Sequence, residues 1–166
     1  MRSITYALVV ATLMAVSVAG VGRLASAQSD SDTVATDRPD ADYVGQIYAL
    51  TLLETTTGHN ITGLIEAMDA GWPQLKWQND IIGQAAVFNA VSDTAKQLKP
   101  PARFADAHKE FLLAFEANST YGTTARAAVE AGDPPMLQNA TTNLQQANDH
   151  LAKANSLLQA ELATGA

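Results

Sequence analysis

Residues 134–163 read PPMLQNATTNLQQANDHLAKANSLLQAELA, a segment that contains four leucines at intervals of seven residues. The four are Leu137, Leu144, Leu151 and Leu158, and alanines lie between them at positions 140, 147 and 154. A seven-residue apolar spacing with small residues between places one seam along a helix and lets a neighbouring helix approach closely. The segment therefore predicts a long amphipathic helix that packs against other helices.

Prolines divide the chain into segments of similar length. The six prolines are Pro39, Pro73, the pair at 100–101 and the pair at 134–135. Because proline disrupts the interior of a helix, these positions are expected to separate helices. The predicted helices span residues near 41–70, 73–98, 101–131 and 134–163. Helices joined by such short connections are antiparallel neighbours, so we predict an all-α, antiparallel up-down-up-down four-helix bundle.

The other three segments carry apolar stripes at helical spacing, and polar residues interrupt these stripes. The poor helix formers of residues 55–60, TTTGHN, are the point at which the first helix would kink or break. The polar interruptions are Thr51, Gln84, His108 and Asn118. We expect these side chains to fix the register between helices. The alternative is that they line a ligand cavity opened by small residues, for which Gly58, Gly83 and Gly122 are the candidates.

The N-terminal segment 1–27 has the three parts of a secretory signal peptide. Arg2 precedes an uncharged, mostly apolar run at residues 4–22, and Ala25 and Ala27 form an A-x-A site. Small side chains at these two positions suit signal-peptidase recognition, so we predict cleavage after Ala27 and an exported protein, periplasmic or secreted. Because the apolar run approaches the ~20 residues that span a bilayer, an uncleaved N-terminal membrane anchor is the alternative.

Residues 28–41 are predicted to form a short, acidic, disordered linker, and residues 42–166 the four-helix bundle. The linker contains four aspartates and too few large apolar side chains to offset the entropy of ordering it. The whole chain has a formal charge of −7, and removal of residues 1–27 takes away two arginines and no acidic residue, which makes the charge −9. A protein this acidic is not expected to bind nucleic acid, or membranes after signal cleavage. The absence of cysteine excludes disulfides, cysteine-ligated zinc and covalently attached haem.

No combination of residues in the sequence is typical of a catalytic centre. The chain has no Gly-x-Ser-x-Gly, no glycine-rich phosphate loop and no Glu-x-x-His of the kind found in di-iron bundles. Carboxylates such as Glu54, Glu66 and Asp69 have spacings that fit a solvated helix face. We therefore predict a non-enzymatic binding or interaction module, without a cofactor. The expected ligand is an unidentified protein or small molecule. The protein itself is predicted to be a monomer or a homodimer.

The alternative function is a haem- or metal-binding periplasmic four-helix bundle. Its candidate ligands are His108, on the aromatic stripe of the third helix, and His150, beside the leucine seam. No two histidines are three or four residues apart, so no single helix face carries a pair of histidines that could bind a metal. Met68 and Met136 are a further pair of soft ligands, but two thioethers are too few for a copper site.

The segment KPPARF at residues 99–104, followed by His108 and Phe111, is similar to a hairpin of uncharacterised helical domains in exported bacterial proteins. This resemblance covers a short part of the chain and implies no known activity. In architecture and export the chain also resembles periplasmic cytochrome b562, a four-helix bundle whose haem lies between a methionine early in the first helix and a histidine late in the last. The methionines and histidines here do not reproduce that pattern, so the likeness is one of fold and transfers no site residue.

Overall fold

The computed structural model describes residues 38–69 and 74–164, and nearly all of them are helical. The helices are α1 (Arg38–Asp69), α2 (Gln74–Gln97), α3 (Ala105–Ala131) and α4 (Pro134–Thr164), with a 3₁₀ turn at Ala102–Phe104. The prediction of an all-α protein with four helices is confirmed over these two ranges, in which there is no β-strand. None of the described helices is long and apolar enough to cross a membrane. The predicted signal peptide, including Ala25 and Ala27, and linker residues 28–37 lie outside the described residues.

The first helix begins earlier than the sequence predicts. α1 starts at Arg38, so residues 38–41, which we placed in the linker, belong to the helix. Pro39 is tolerated because the N–H that it lacks would have no partner in the first turn of a helix. Asp40 places a negative charge at the helix N-terminus, where the helix dipole favours it. Its Oδ2 also lies 2.5 Å from Nη2 of Arg103, which ties this first turn to the start of α3.

α1 runs without interruption through residues 55–60, so the break predicted there is wrong. Three threonine hydroxyls donate to carbonyls four residues earlier, from Thr55 to Thr51, from Thr56 to Leu52 and from Thr57 to Leu53. The side of the helix that carries Thr57, Gly58 and Ile61 is buried. Packing against the other helices therefore overrides the low helix propensity of this segment.

The connection between α3 and α4 is set by two residues. Gly132 adopts a left-handed φ of 64°, and its N–H reaches the carbonyls of Ala128 and Val129. Asp133 then caps α4, because its Oδ1 accepts a hydrogen bond of 3.0 Å from the backbone N–H of Met136. One helix ends and the next begins within these two positions, as the sequence signals predict.

The core consists of two apolar clusters, which contain residues of the predicted stripes together with others outside them, such as Tyr43 and Tyr121. The first cluster includes Tyr43, Ile47, Val91, Phe104, Phe111, Phe115, Leu151 and Leu158. The second cluster includes Ile61, Trp77, Ile81, Phe88, Tyr121, Val129 and Leu137, with Leu144 half-buried against it. Between members of the two clusters along α1 and α3 lie three buried polar residues, Glu54, Thr57 and Asn118, which we call the polar layer.

Candidate functional site

Hydrogen bonds between side chains join α1 to α2 and α3, in addition to the Asp40–Arg103 ion pair. They join Tyr43 to His108, Glu54 to Asn118, and Asn60 to Gln84. Three of the four polar residues that interrupt the predicted stripes therefore bond to α1, as expected if they fix its register. The fourth, Thr51, bonds within its own helix to the carbonyl of Ile47.

A groove of about 540 Å³ lies between α1 and α2. From α1 it is lined by His59, Asn60, Gly63 and Leu64. From α2 it is lined by Asn79, Asp80, Gly83 and Gln84. It is a surface groove, because His59, Asn60, Gly63, Asn79 and Gly83 of its lining are exposed.

Two exposed glycines, Gly63 on α1 and Gly83 on α2, belong to the lining of the groove. A Cβ added at Gly63 or at Gly83 would meet no atom within 4 Å. The three glycines proposed from the sequence behave differently from one another. Gly83 lines the groove and buried Gly58 does not, whereas a Cβ on Gly122 would lie 3.1 Å from the Ala85 Cα. Gly122 thus serves close helix packing, and of the three candidate glycines only Gly83 lines this groove.

The lining of the groove is rich in hydrogen-bonding side chains. Asn60 Nδ2 donates to Gln84 Oε1 across the groove at 3.4 Å, and Asn79 adds a third carboxamide. Asp80 forms an ion pair with Lys76 at 2.6 Å, so its charge is balanced. At one end, Trp77 Nε1 donates to the Leu64 carbonyl at 2.7 Å and fixes the two walls relative to each other. The arrangement can therefore donate and accept several hydrogen bonds at once.

Glu54 is buried, contrary to the prediction from the sequence. It is 1% exposed, so the expectation that it belongs to a solvated helix face is wrong. Asn118 Nδ2 donates a hydrogen bond to Oε2, while Oε1 has no hydrogen-bond partner. Burial raises the pKa of the Glu54 carboxyl to about 8, against the smaller opposing effect of the Asn118 hydrogen bond. Its seven-residue spacing from buried Ile47 and Ile61 is the sequence signal that would have placed it in the core.

Tyr121 lies one helical turn beyond Asn118 on α3 and was not singled out from the sequence. The residue is fully buried, and its hydroxyl has no hydrogen-bond partner. The ring packs edge-on against Phe88 at a centroid distance of 6.2 Å. Burial raises the pKa of the phenol, so the hydroxyl stays neutral.

The three histidines lie in different surroundings. His108 is 7% exposed, its Nδ1 lies 3.1 Å from Tyr43 Oη, and burial lowers its pKa. His150 Nδ1 lies 2.7 Å from Oε2 of Glu110, and His59 lines the groove. Within residues 38–69 and 74–164, no group of three or more His, Asp or Glu side chains is placed to hold a metal ion. Met136 is half-buried against the second cluster, and the Met68 side chain lies outside the described residues.

A second polar cluster joins α3 to α4. Lys153 Nζ lies 2.7 Å from Glu110 Oε1, opposite the oxygen that His150 contacts. The hydrogen bond from Lys153 and then that from His150 lower the pKa of Glu110. This cluster stabilises an ionised carboxylate between two cationic or polar partners and leaves no oxygen of Glu110 unpaired.

Comparison of the chain with protein-family models, curated proteins and solved structures gave no match. The function is therefore argued from the contacts of this chain alone.

Proposed function

We propose that the protein is a non-enzymatic binding module whose ligand occupies the groove between α1 and α2. The observation that carries this proposal is the open space at Gly63 and Gly83, which leaves about 540 Å³ between two walls of hydrogen-bonding side chains. Clefts of this size between helices are common ligand sites in helical bundles.

The lining favours a small neutral ligand that carries several hydroxyl or amide groups. Asn60, Asn79 and Gln84 each offer both a donor and an acceptor. The carboxylate of Asp80 already pairs with Lys76, so a cationic ligand would gain no unpaired counter-charge from it. Leu64 supplies an apolar surface for the carbon skeleton of such a ligand.

The location of Glu54 supports a binding module rather than an enzyme. Its raised pKa would suit a general acid, but the residue is 1% exposed and lies in the polar layer. It does not line the groove, so a ligand bound there would not reach its carboxyl. The haem- or metal-binding alternative through His108 or His150 stays a hypothesis. A haem absorbance band, or one equivalent of metal that survives dialysis, would support it.

We also propose the finer architecture, in which the four helices form an antiparallel up-down-up-down bundle. Residue pairs between consecutive helices support it: Leu64 with Trp77 and Asn60 with Gln84, then Ala85 with Gly122 and Asn89 with Ser119. In each pair of helices, the residue numbers of the contacting residues rise along one helix as they fall along the other, so the two helices are antiparallel. The two-residue connection at 132–133 also requires α4 to return along α3.

Export is the third part of the proposal. The basic start, the apolar run at residues 4–22 and the A-x-A site of Ala25 and Ala27 support removal of residues 1–27. The mass of the chain recovered from expressing cells tests this point. We expect a chain that begins at Gln28, whereas a chain that begins at Met1 would favour the membrane anchor.

A pair of matched variants tests the groove. Gly83→Leu places a large side chain in the groove, while Gly45→Leu places the same side chain at a site on α1 that is equally open and does not line the groove. Both changes replace a glycine within a helix, so both should raise helix propensity and keep the protein folded. The probe is N-acetylglucosamine, which is neutral and carries hydroxyl and amide groups. Glucosamine and glucuronate are its cationic and anionic counterparts.

We expect calorimetry to detect millimolar binding of N-acetylglucosamine to the wild-type protein and to Gly45→Leu, and its loss in Gly83→Leu. Tighter binding of either charged sugar would overturn the assignment of a neutral ligand. Equal binding by Gly83→Leu and Gly45→Leu, or no binding of any probe to the wild-type protein, would overturn the groove as the site.

A further inference from the structure

Two hydrogen bonds between α1 and α3 involve a buried titratable side chain, His108 in one and Glu54 in the other. Tyr43 Oη lies 3.1 Å from Nδ1 of His108, a contact in which the neutral imidazole accepts a hydrogen bond from the phenol. Further along α1, Asn118 Nδ2 donates to Oε2 of Glu54. His108 and Glu54 are both buried, at 7% and 1% exposure, so a charge on either one is poorly solvated.

No buried cation compensates a charge on Glu54. Among the described residues that are buried, the polar side chains other than Glu54 are Thr57, Ser92, His108, Glu110 and Asn118. On α3, the ionisable residues closest in sequence to Asn118 are Glu116, which is acidic and exposed, and the buried neutral phenol of Tyr121, and the buried polar residue of α2 is Ser92. An ionised Glu54 would therefore be an uncompensated charge in the core.

The groups around His108 also disfavour its charged form. Tyr43 faces it from α1, and the aromatic ring of Phe104 stacks on Tyr43 at 5.5 Å. The Arg103 cation lies 4.6 Å above the Phe104 ring, and its charge is already paired with Asp40. Two acidic residues of α3 flank His108 in sequence: Asp106 is exposed, and Glu110 is bonded to His150 and Lys153 of α4.

We propose that α1 docks on the other helices most firmly in mildly acidic solution, and that either a rise or a fall in pH from there releases it. It leaves as the pH rises toward 8, because Glu54 ionises, and it leaves in stronger acid, because His108 is protonated. The α3–α4 seam is joined by apolar side chains and by the ionised Glu110 carboxylate, which keeps its bond to Lys153 as the pH rises, so this seam stays in place when α1 leaves on the alkaline side.

The direction of each effect follows from proton binding in the docked and released states. Docked Glu54 keeps its proton up to a pKa of about 8, whereas the solvated carboxyl loses it near 4.5, so between these values each pH unit favours release by about tenfold. The pKa of docked His108 lies below 6.5, so the released form binds an extra proton as the pH falls below 6.5. As the pH rises from 4.5 to 6.5, ionisation of Glu54 favours release of α1 while deprotonation of His108 favours docking. Above pH 6.5 only Glu54 ionisation changes the balance.

Release of α1 would also dismantle the groove, since α1 supplies the wall that carries His59, Asn60 and Gly63. If the proposed function holds, ligand affinity should therefore fall between pH 6.5 and 8. This consequence rests on the proposed function, whereas the release of α1 does not, and it is measured without any ligand.

Amide hydrogen exchange of the full chain, followed by NMR and corrected for the intrinsic pH dependence, tests the proposal. We expect the opening constant of α1 amides near Ile47, Glu54 and Ile61 to rise about tenfold per pH unit from 6.5 to 8. Amides of the α3–α4 seam should keep their protection. In Glu54→Gln, which is neutral at every pH, the α1 opening constant should stay flat over this range.

A control variant and a direct titration of Glu54 complete the test. Glu110→Gln is the matched control, because it neutralises a carboxylate that bonds to α4, and it should leave the α1 profile unchanged. The carboxyl ¹³C shift of Glu54 in the wild-type protein needs no variant and should titrate together with the α1 amides. A flat wild-type α1 profile from pH 6.5 to 8, or the same slope in Glu54→Gln, would overturn the proposal. So would titration of the Glu54 carboxyl near 4.5.

Discussion

Gly122 of α3 lies so close to Ala85 of α2 that a Cβ on residue 122 would be 3.1 Å from the Ala85 Cα and 3.3 Å from its carbonyl oxygen. Two residues earlier on α2, Gly83 has no atom within 4 Å of an added Cβ. The same residue type thus lies in close helix packing on one side of α2 and in the open lining of the groove on another. Only the second arrangement leaves room for a ligand.

Gly122→Ala should destabilise the protein. The added methyl group meets backbone atoms of Ala85, which cannot move as a side chain can, and such overpacking costs about 1–3 kcal/mol. Alanine recovers up to about 1 kcal/mol of helix propensity, so we expect a net loss in the free energy of unfolding measured in urea. Gly63→Ala, at an open position, should instead gain about 0.5–1 kcal/mol. Equal stabilities of the two variants would contradict the close α2–α3 packing.

Leu151→Asp should unfold the protein or remove most of its stability. Leu151 is 8% exposed within the first apolar cluster, and a carboxylate there loses both the apolar contacts and its hydration, at least about 3 kcal/mol. Leu75→Asp is the matched control, since Leu75 is 72% exposed and the change should be nearly neutral. Circular dichroism during thermal unfolding compares them, and a cooperative melt of Leu151→Asp at the wild-type temperature would refute the assignment of the leucine seam.

Two tyrosine-to-phenylalanine changes should shift stability in opposite directions. Tyr121→Phe removes a buried hydroxyl that has no partner, and an unsatisfied group of this kind costs about 1–3 kcal/mol, so the variant should be at least as stable as the wild type. Tyr43→Phe removes the hydroxyl that contacts His108 and should lower the free energy of unfolding by about 1 kcal/mol. If Tyr121→Phe proved the more damaging change, the Tyr121 hydroxyl would have to hold a partner.

The Glu110 cluster predicts a pH effect on the acid side. Its pKa is lowered by Lys153 and by His150, so the stability that it contributes is present above pH 4.5 and is lost as the pH falls through its folded-state pKa. Lys153→Met should raise the pKa of Glu110 more than His150→Gln does, because the Lys153 hydrogen bond is the larger cause. Carboxyl NMR titration of the two variants measures both pKa values, and the reverse order would contradict the relative strength of the two contacts.

The periodic part of the fold was predictable from the sequence. Leu137, Leu151 and Leu158 are buried as their spacing predicts, and helices end and begin as expected at the Pro100-Pro101 pair and between Gly132 and Pro134. The start of α1 was missed because Pro39 and the acidic residues before residue 42 fit a linker as well as a first helical turn, and the contact of Asp40 with the distant Arg103 is seen only in the structure. The predicted break at residues 55–60 failed because tertiary packing outweighs local propensity.

The candidate site was only partly predictable. Gly83 and the polar interruptions Gln84, His108 and Asn118 were singled out, but their partners depend on the register of α1 against α2 and α3, which one sequence does not specify. In the sequence, nothing distinguishes Gly63 from other helical glycines, and only the structure shows that it lines the groove together with Gly83. Glu54 was assigned to the surface because a carboxylate is seldom buried without a cation, although its spacing from Ile47 and Ile61 fits the core.

The most direct test of the account is a map of where the probe N-acetylglucosamine binds the wild-type protein, read from backbone amide shifts during an NMR titration. The account predicts saturable shifts that centre on Gly63, Gly83 and Gln84, with the α3–α4 seam unaffected. Shifts that centre elsewhere, or no saturable shift at the groove at millimolar probe, would contradict the claim that the groove between α1 and α2 is a ligand site.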